Sequence, residues 1–101
     1  MSDQKEYNYR QIDDLIHSRI RLAVMTILAQ QEMAAFGYLK KQIGTTDGNL
    51  SSHLSKLQDA GYIDEKKEFV DKKPRTTYSI TSEGHQAFKK YIDQLEKFID
   101  L

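Results

Sequence analysis

Hydrophobic positions along this chain keep one rhythm for most of its length, break it once, and then resume it. Over 13–30, Ile16, Ile20, Ala23, Val24, Ile27 and Leu28 recur every three or four residues, the spacing of one face of a helix. A helix over 13–30 is therefore expected, with Arg19 and Arg21 off its apolar stripe. Gln31, Glu32 and Met33 link it to a second short helix carried by Phe36, Leu39 and Ile43. Met33, Ala34 and Ala35 offer no good N-cap, which leaves the start of that helix open. Leu50, Leu54 and Leu57 form the stripe of a third helix. Over 62–80 the pattern becomes extended: a charged run at 64–68, then Thr76, Thr77, Tyr78 and Ile80, residue types that favour strands. From 82 to 101 the helical stripe returns in Phe88, Tyr91, Ile92, Leu95, Phe98 and Ile99.

The junctions sharpen this reading. Gly44 follows the last periodic residue of the second helix, where a left-handed cap favours a residue without a β-carbon. Thr45 or Thr46 can cap the third helix, and Asp47 places a negative charge at its positive end. Gly61 ends that helix. Helix, short glycine-containing turn and helix make a helix-turn-helix over 36–63. The outer face of its second helix, 46–60, carries Thr46, Asn49, Ser51, Ser52, Ser55 and Lys56. Small side chains let a backbone approach base edges in a DNA major groove, and amides and hydroxyls bond to them. Helical hairpins that bind nothing share this pattern, so the stretch alone leaves both uses open.

Strands over 62–70 and 75–80 enclose a polar, proline-containing tip at 71–75, and so predict a β-hairpin. The lack of a backbone donor at Pro74 suits a loop better than a ladder. Lys72, Lys73 and Arg75 cluster at that tip. Such cations can simply keep a hairpin edge soluble. Directly after a helix-turn-helix, they fit a winged-helix arrangement in which the hairpin reaches along the DNA, its cations touching the flanking backbone or the minor groove. Thr81 then caps the final helix, with Glu83 in its first turn. The far half of that helix extends beyond what one small core covers, so Phe88, Tyr91, Ile92, Leu95, Phe98 and Ile99 are the expected homodimer interface. Folding back over Ile16 or Ile20 is the other way to cover the stripe.

Composition narrows the classes. A chain of 101 residues is expected to form one domain: a mobile arm at 1–12, helices and wing at 13–80, and the last helix at 81–101. The fold class is mainly α with a small β-hairpin, that is α+β. With 39% hydrophobic and 30% charged residues it has an ordinary globular balance. Without cysteine there is no disulfide, thiolate metal site or cysteine nucleophile, which accords with a cytoplasmic location. The polar start is not expected to be a signal peptide, and no apolar run spans a bilayer. A formal net charge of +0 argues against an indiscriminate polycation but not against a local DNA-binding patch.

The run Gly-Thr-Thr-Asp-Gly-Asn-Leu-Ser-Ser-His-Leu-Ser-Lys-Leu-Gln-Asp-Ala-Gly-Tyr-Ile, followed by Lys-Lys-Pro-Arg-Thr-Thr-Tyr-Ser-Ile-Thr-Ser-Glu-Gly, resembles small winged-helix transcriptional regulators related to the MarR and ArsR groups. The segment His-Ser-Arg-Ile-Arg-Leu at 17–22 resembles the start of their first helix. The likeness spans about 15–88. It implies a homodimer on operator DNA, with 46–60 as recognition helix and 62–80 as wing. Lys56 is the only cation on the recognition helix, which shifts affinity toward the wing. The cysteine motif of ArsR-type metal sensors is absent, and the chain is too short for every helix of a MarR-type effector pocket.

No enzyme is expected. His17, His53 and His85 are expected on three different helices and no pair has ligand spacing. Asp64 and Glu65 fit a solvated face better than a catalytic pair. No cofactor or metal is expected. The expected partners are double-stranded DNA and a second copy of the chain, with no membrane; a small-molecule effector stays open. Two other readings remain: a winged-helix module that binds protein, and a sensor whose dimer cleft is the primary site.

Overall fold

Ser18, not Asp13, opens the first helix. The computed structural model describes residues 7–99, and in it α1 runs Arg19–Gln30, with the Ser18 hydroxyl accepting the Arg21 N–H at 3.4 Å. The expected start at residue 13 fails because an Asp competes with the backbone. Its Oδ1 accepts the N–H groups of Leu15 at 2.9 Å and Ile16 at 3.1 Å, which makes a turn instead of a helix. Its Oδ2 accepts the Tyr62 hydroxyl at 3.2 Å, fastening the turn to the base of the hairpin. A 3₁₀ turn, Tyr9–Gln11, precedes it. The first part of the expected arm, residues 1–6, and the end of the last helix, 100–101, lie outside the described residues.

After α1 come β1 (Ala34–Ala35), α2 (Phe36–Ile43), α3 (Asp47–Asp59), β2 (Ile63–Val70), β3 (Lys73–Ile80) and α4 (Ser82–Ile99). The three strands form one antiparallel sheet in the order β1-β3-β2. The strand β1 is unannounced in the sequence: two alanines carry little strand preference. Pairing of Ala34 with Tyr78 and Ala35 with Thr77 explains it, since the sheet edge takes up their backbone groups. Ala35 then precedes α2 with no side-chain cap.

The core is where the three helical stripes meet the sheet. Val24, Met25 and Leu28 of α1, Leu39 of α2, and Leu50, Leu54 and Leu57 of α3 are buried, together with Ile16, Ile63, Tyr78 and Tyr91. Gly44 and Gly61 take the left-handed backbone, at φ 76° and 80°. At Gly61 the helix closes with two bonds: Gly61 N–H to the Gln58 carbonyl at 2.9 Å and Tyr62 N–H to the Leu57 carbonyl at 3.0 Å. That pairing is a Schellman end, and it turns the chain directly into β2.

The hairpin differs from expectation at its tip. Only Asp71 and Lys72 form the turn, both at positive φ (52° and 65°), the two-residue geometry whose twist matches the flanking strands. Lys73 and Pro74, expected in the loop, belong to β3 together with Arg75. Proline is tolerated because Val70 and Lys73 flank the turn as a bonded pair, which makes Phe69 and Pro74 the next, non-bonded pair. The missing N–H thus lies on the outer edge, and β1 reaches only as far as Thr77.

Four elements converge at the start of α4. The Thr81 N–H donates to the Tyr62 carbonyl at 3.0 Å, and the Thr81 hydroxyl donates to the Gly61 carbonyl at 2.6 Å and accepts the Gly84 N–H at 2.9 Å. Thr81 is the expected cap. Gly84 is buried, and a β-carbon there would collide with the Tyr62 carbonyl oxygen. This close approach is the packing that a glycine in the first turn permits.

Candidate nucleic-acid interface

The helix α3 is seated by one face and free on the other. Leu50, Leu54 and Leu57 enter the core, whereas Asn49, Ser51, Ser52, Ser55 and Lys56 are exposed. Thr46 is exposed too, but its Oγ1 accepts the Asn49 N–H at 3.1 Å as the helix cap. Its hydroxyl is therefore committed first to starting the helix. Asp47, in the first turn, pairs with Lys40 of α2 at 2.9 Å, tying the two helices across the turn. Both groups are well exposed, so the pair contributes at most about 1 kcal/mol.

One side of α3 is held by a polar contact that the stripe does not reveal. Arg21 of α1 donates through Nε to the Leu15 carbonyl and places Nη1 2.7 Å from His53 Nδ1. Because arginine only donates, His53 accepts on Nδ1 and is neutral. Burial, then the charges of Arg21 and Lys56, lower its pKa from the usual 6.5. His53 is thus a bracket for the helix. His17, expected on the first helix, sits in the turn before it and meets the Tyr91 hydroxyl at 2.9 Å through Nδ1. Among the described residues no three His, Cys, Asp or Glu side chains gather as a metal site.

Lys72, Lys73 and Arg75 are exposed at the far end of the hairpin, and none has an acidic partner among the described residues. The charged run closer to the core is different. Lys66 lies 3.8 Å from Glu68 and Lys67 lies 3.9 Å from Glu65. Glu65 also accepts the Tyr78 hydroxyl at 2.9 Å, and burial together with this bond pushes the Tyr78 pKa up. Glu65 is therefore a structural acceptor, while Asp64 is exposed.

Arg19 adds a cation that the helix and wing stripes do not include. It lines a groove of about 710 Å³ with Gln42, Thr45 and Asn49, beside the N-terminus of α3. Its position off the apolar stripe of α1 is the signal for it in the sequence.

The expected dimer residues divide into two groups. Tyr91 is buried in the core of the single chain, under His17. Phe98 turns toward the N-terminal segment, with Tyr7 edge-on at 6.0 Å, and shares a groove of about 550 Å³ there with Leu95 and Ile12. Phe88, Ile92 and Leu95 are half-buried, and Ile99 is 46% exposed. Shallow surface grooves run along α4 past Phe88, Ile92, Leu95 and Ile99.

Residues 20–99 match a family described as a winged helix DNA-binding domain. The chain belongs to this family. It is 36% identical over 81 residues to an uncharacterized protein of Methanocaldococcus jannaschii, covering 80% of this chain and 88% of that one. An uncharacterized HTH-type transcriptional regulator of Halalkalibacterium halodurans is 34% identical over 71 residues, 69% of this chain and 62% of that protein. The solved transcriptional regulator homologue of Pyrococcus horikoshii superposes with a TM-score of 0.80 at 31% identity, covering 85% of both chains. Solved MarR-, ArsR- and PadR-family regulators share the fold. The protein thus belongs with winged-helix transcriptional regulators, and its relatives with a stated role are regulators and not enzymes. Among the described residues no helix is long and apolar enough to cross a membrane.

Proposed function

We propose that this regulator binds operator DNA sequence-specifically as a homodimer. The observation that carries the reading is the pairing of a firmly seated helix, polar and exposed on its outer face, with a hairpin whose three terminal cations lack acidic partners among the described residues. In this reading α3 enters the major groove, where Asn49, Ser51, Ser52, Ser55 and Lys56 meet base edges and nearby phosphates. Lys72, Lys73 and Arg75 hold the flanking backbone, and Arg19 supplies a further phosphate contact beside the start of α3. A second copy joins through the outer side of α4, along Phe88, Ile92, Leu95 and Ile99. Covering a fully exposed large side chain contributes about 1.5–3 kcal/mol, and these partly buried ones less, offset by the entropy of association. The two-fold axis calls for a pseudo-palindromic site with half-sites about one helical turn apart.

Selection of bound duplexes from a random pool tests the reading and should return a two-fold symmetric consensus. Sedimentation at micromolar concentration should show a dimer, and Ile92→Glu with Ile99→Glu should convert it to a folded monomer with much weaker operator binding. A wild-type monomer, or a pool without enrichment, would refute the reading. The effector-sensing alternative draws on the groove bordered by Arg10, Ile12 and Phe98. It predicts a thermal shift with small aromatic or carboxylate compounds.

A further inference from the structure

Phe69 leaves 76% of its surface in water, more than any other large apolar side chain among the described residues. It stands opposite Pro74, which is also exposed, so two apolar rings share one face of the hairpin. That face begins in the core, with Ile63 opposite Ile80 and Glu65 opposite Tyr78. Beyond Thr77 the third strand is gone, and none of the described residues covers Phe69. A bare aromatic on a free hairpin invites edge-to-edge association and adds no core stability, so folding does not account for it.

Its surroundings indicate a partner. Lys67 lies two residues back on the same strand face, 3.9 Å from Glu65; Arg75, opposite Glu68 on the other face, lines the same shallow groove with it, and Lys72 and Lys73 are at the tip. Toward the tip cations outnumber acids, and an apolar knob with unpaired cations beside it suits a surface that is apolar within and anionic at its rims. The DNA minor groove has that form: about 6 Å wide, with base edges at its floor and phosphates along both sides. A membrane would demand a broader apolar patch than one ring pair.

We infer that Phe69, backed by Pro74, is a wedge that the wing inserts into the minor groove, partly unstacking one base step. Lys67 and Arg75 hold the phosphates on either side. The inference rests on the DNA-binding reading above and adds a specificity determinant to it. Apolar wedges kink DNA toward the major groove, and pyrimidine–purine steps yield most easily. The wing therefore reads deformability at a position that α3 does not touch, favouring TA or CA steps beneath it.

The test uses the full chain and duplexes selected from a random pool. End-labelled duplexes report bending by energy transfer, and 2-aminopurine at the step under the wing reports unstacking. The wild-type protein should bend the DNA, brighten the probe and prefer TA over GG at that step by about tenfold. Phe69→Ala should lose all three while keeping the α3 half-site sequence and the salt slope. Phe69→Leu, which keeps an apolar wedge, should restore most of the bend. A Phe69→Ala protein with unchanged bend and step preference would overturn the wedge and leave DNA binding intact. Wild-type protein that binds no duplex would overturn both. If Phe69→Ala instead alters sedimentation and not DNA bending, Phe69 belongs to a protein contact and the wedge is refuted.

Discussion

The helix α3 and the hairpin that follows it are neighbours in sequence and opposites in construction. The helix is anchored along its length by Leu50, Leu54 and Leu57, bracketed by Arg21 through His53, and closed at both ends by Thr46 and Gly61. The outer hairpin is a two-stranded ribbon with exposed residues on both faces, and its end is cationic. Rigid placement suits a surface that must match base edges within a fraction of an ångström. An exposed ribbon suits a cationic surface that must find phosphates, whose attraction is long-ranged and tolerant of geometry. The difference suggests a division between reading base edges and engaging the backbone and its deformability, and each side of it can be attacked separately.

The sharpest attack is on the seat of the helix. Leu54→Ala should cost about 2–5 kcal/mol of stability in denaturant melts, because the surrounding core cannot fully collapse around the gap. Phe69→Ala, a larger truncation on the hairpin, should cost under about 0.5 kcal/mol. Equal losses would mean that the hairpin is as much a part of the core as the helix. Next in size is the reading surface. Ser52→Glu should weaken operator binding by about 100-fold in fluorescence anisotropy while leaving the melt unchanged, since a carboxylate there meets acceptors and phosphates. Normal operator binding by that variant would remove α3 from the interface.

Gripping is tested by salt. Neutralising Lys72, Lys73 and Arg75 together should lower the log–log salt slope of binding by about 2.7, at about 0.9 for each phosphate that a cation no longer neutralises. The preferred sequence should hardly change. The smallest effect concerns the bracket. The pKa of His53 is lowered in the fold, so the unfolded chain binds the proton more readily. Stability from this group is complete above about pH 6.5 and falls as the pH drops through the lowered folded value. The wild-type melting temperature should therefore drop more between about pH 7 and pH 5 than that of His53→Gln. Parallel curves would show that Arg21 and His53 are not coupled.

How much of this is legible in the sequence follows from where each signal comes from. The helices α2, α3 and α4 are legible because each carries a stripe and a local stop or start: Gly44, Thr46, Gly61 and Thr81. The start of α1 is misplaced by periodicity because Ile16 continues the helical spacing although it reaches the core from a turn. The Asp13 and Ser18 side chains decide that boundary, and periodicity ignores them. The tip is misread because Pro74 suggests a loop, and only the pairing of β3 shows which edge its nitrogen faces. The strand β1 is invisible, since its two alanines owe their conformation to Tyr78 and Thr77 far along the chain. At the candidate site, exposed residues are foreseeable from the spacing of Leu50, Leu54 and Leu57. The contact between Arg21 and His53 and the burial of Tyr91 against His17 are not, because each joins residues remote in sequence.

The knot at Thr81, Tyr62 and Gly84 has a consequence for scale. The 18 residues of α4 make a rod about 27 Å long, and its first turn rests directly on the backbone at the root of the hairpin. A rod of that length is a lever: tilting it by about 10° at the root would carry its far end about 5 Å sideways. In a symmetric pair joined along such rods, that displacement would be felt as a change in the distance between two reading helices. At Gly84 the foot of that lever rests against the Tyr62 carbonyl, at a position where a side chain would push it away.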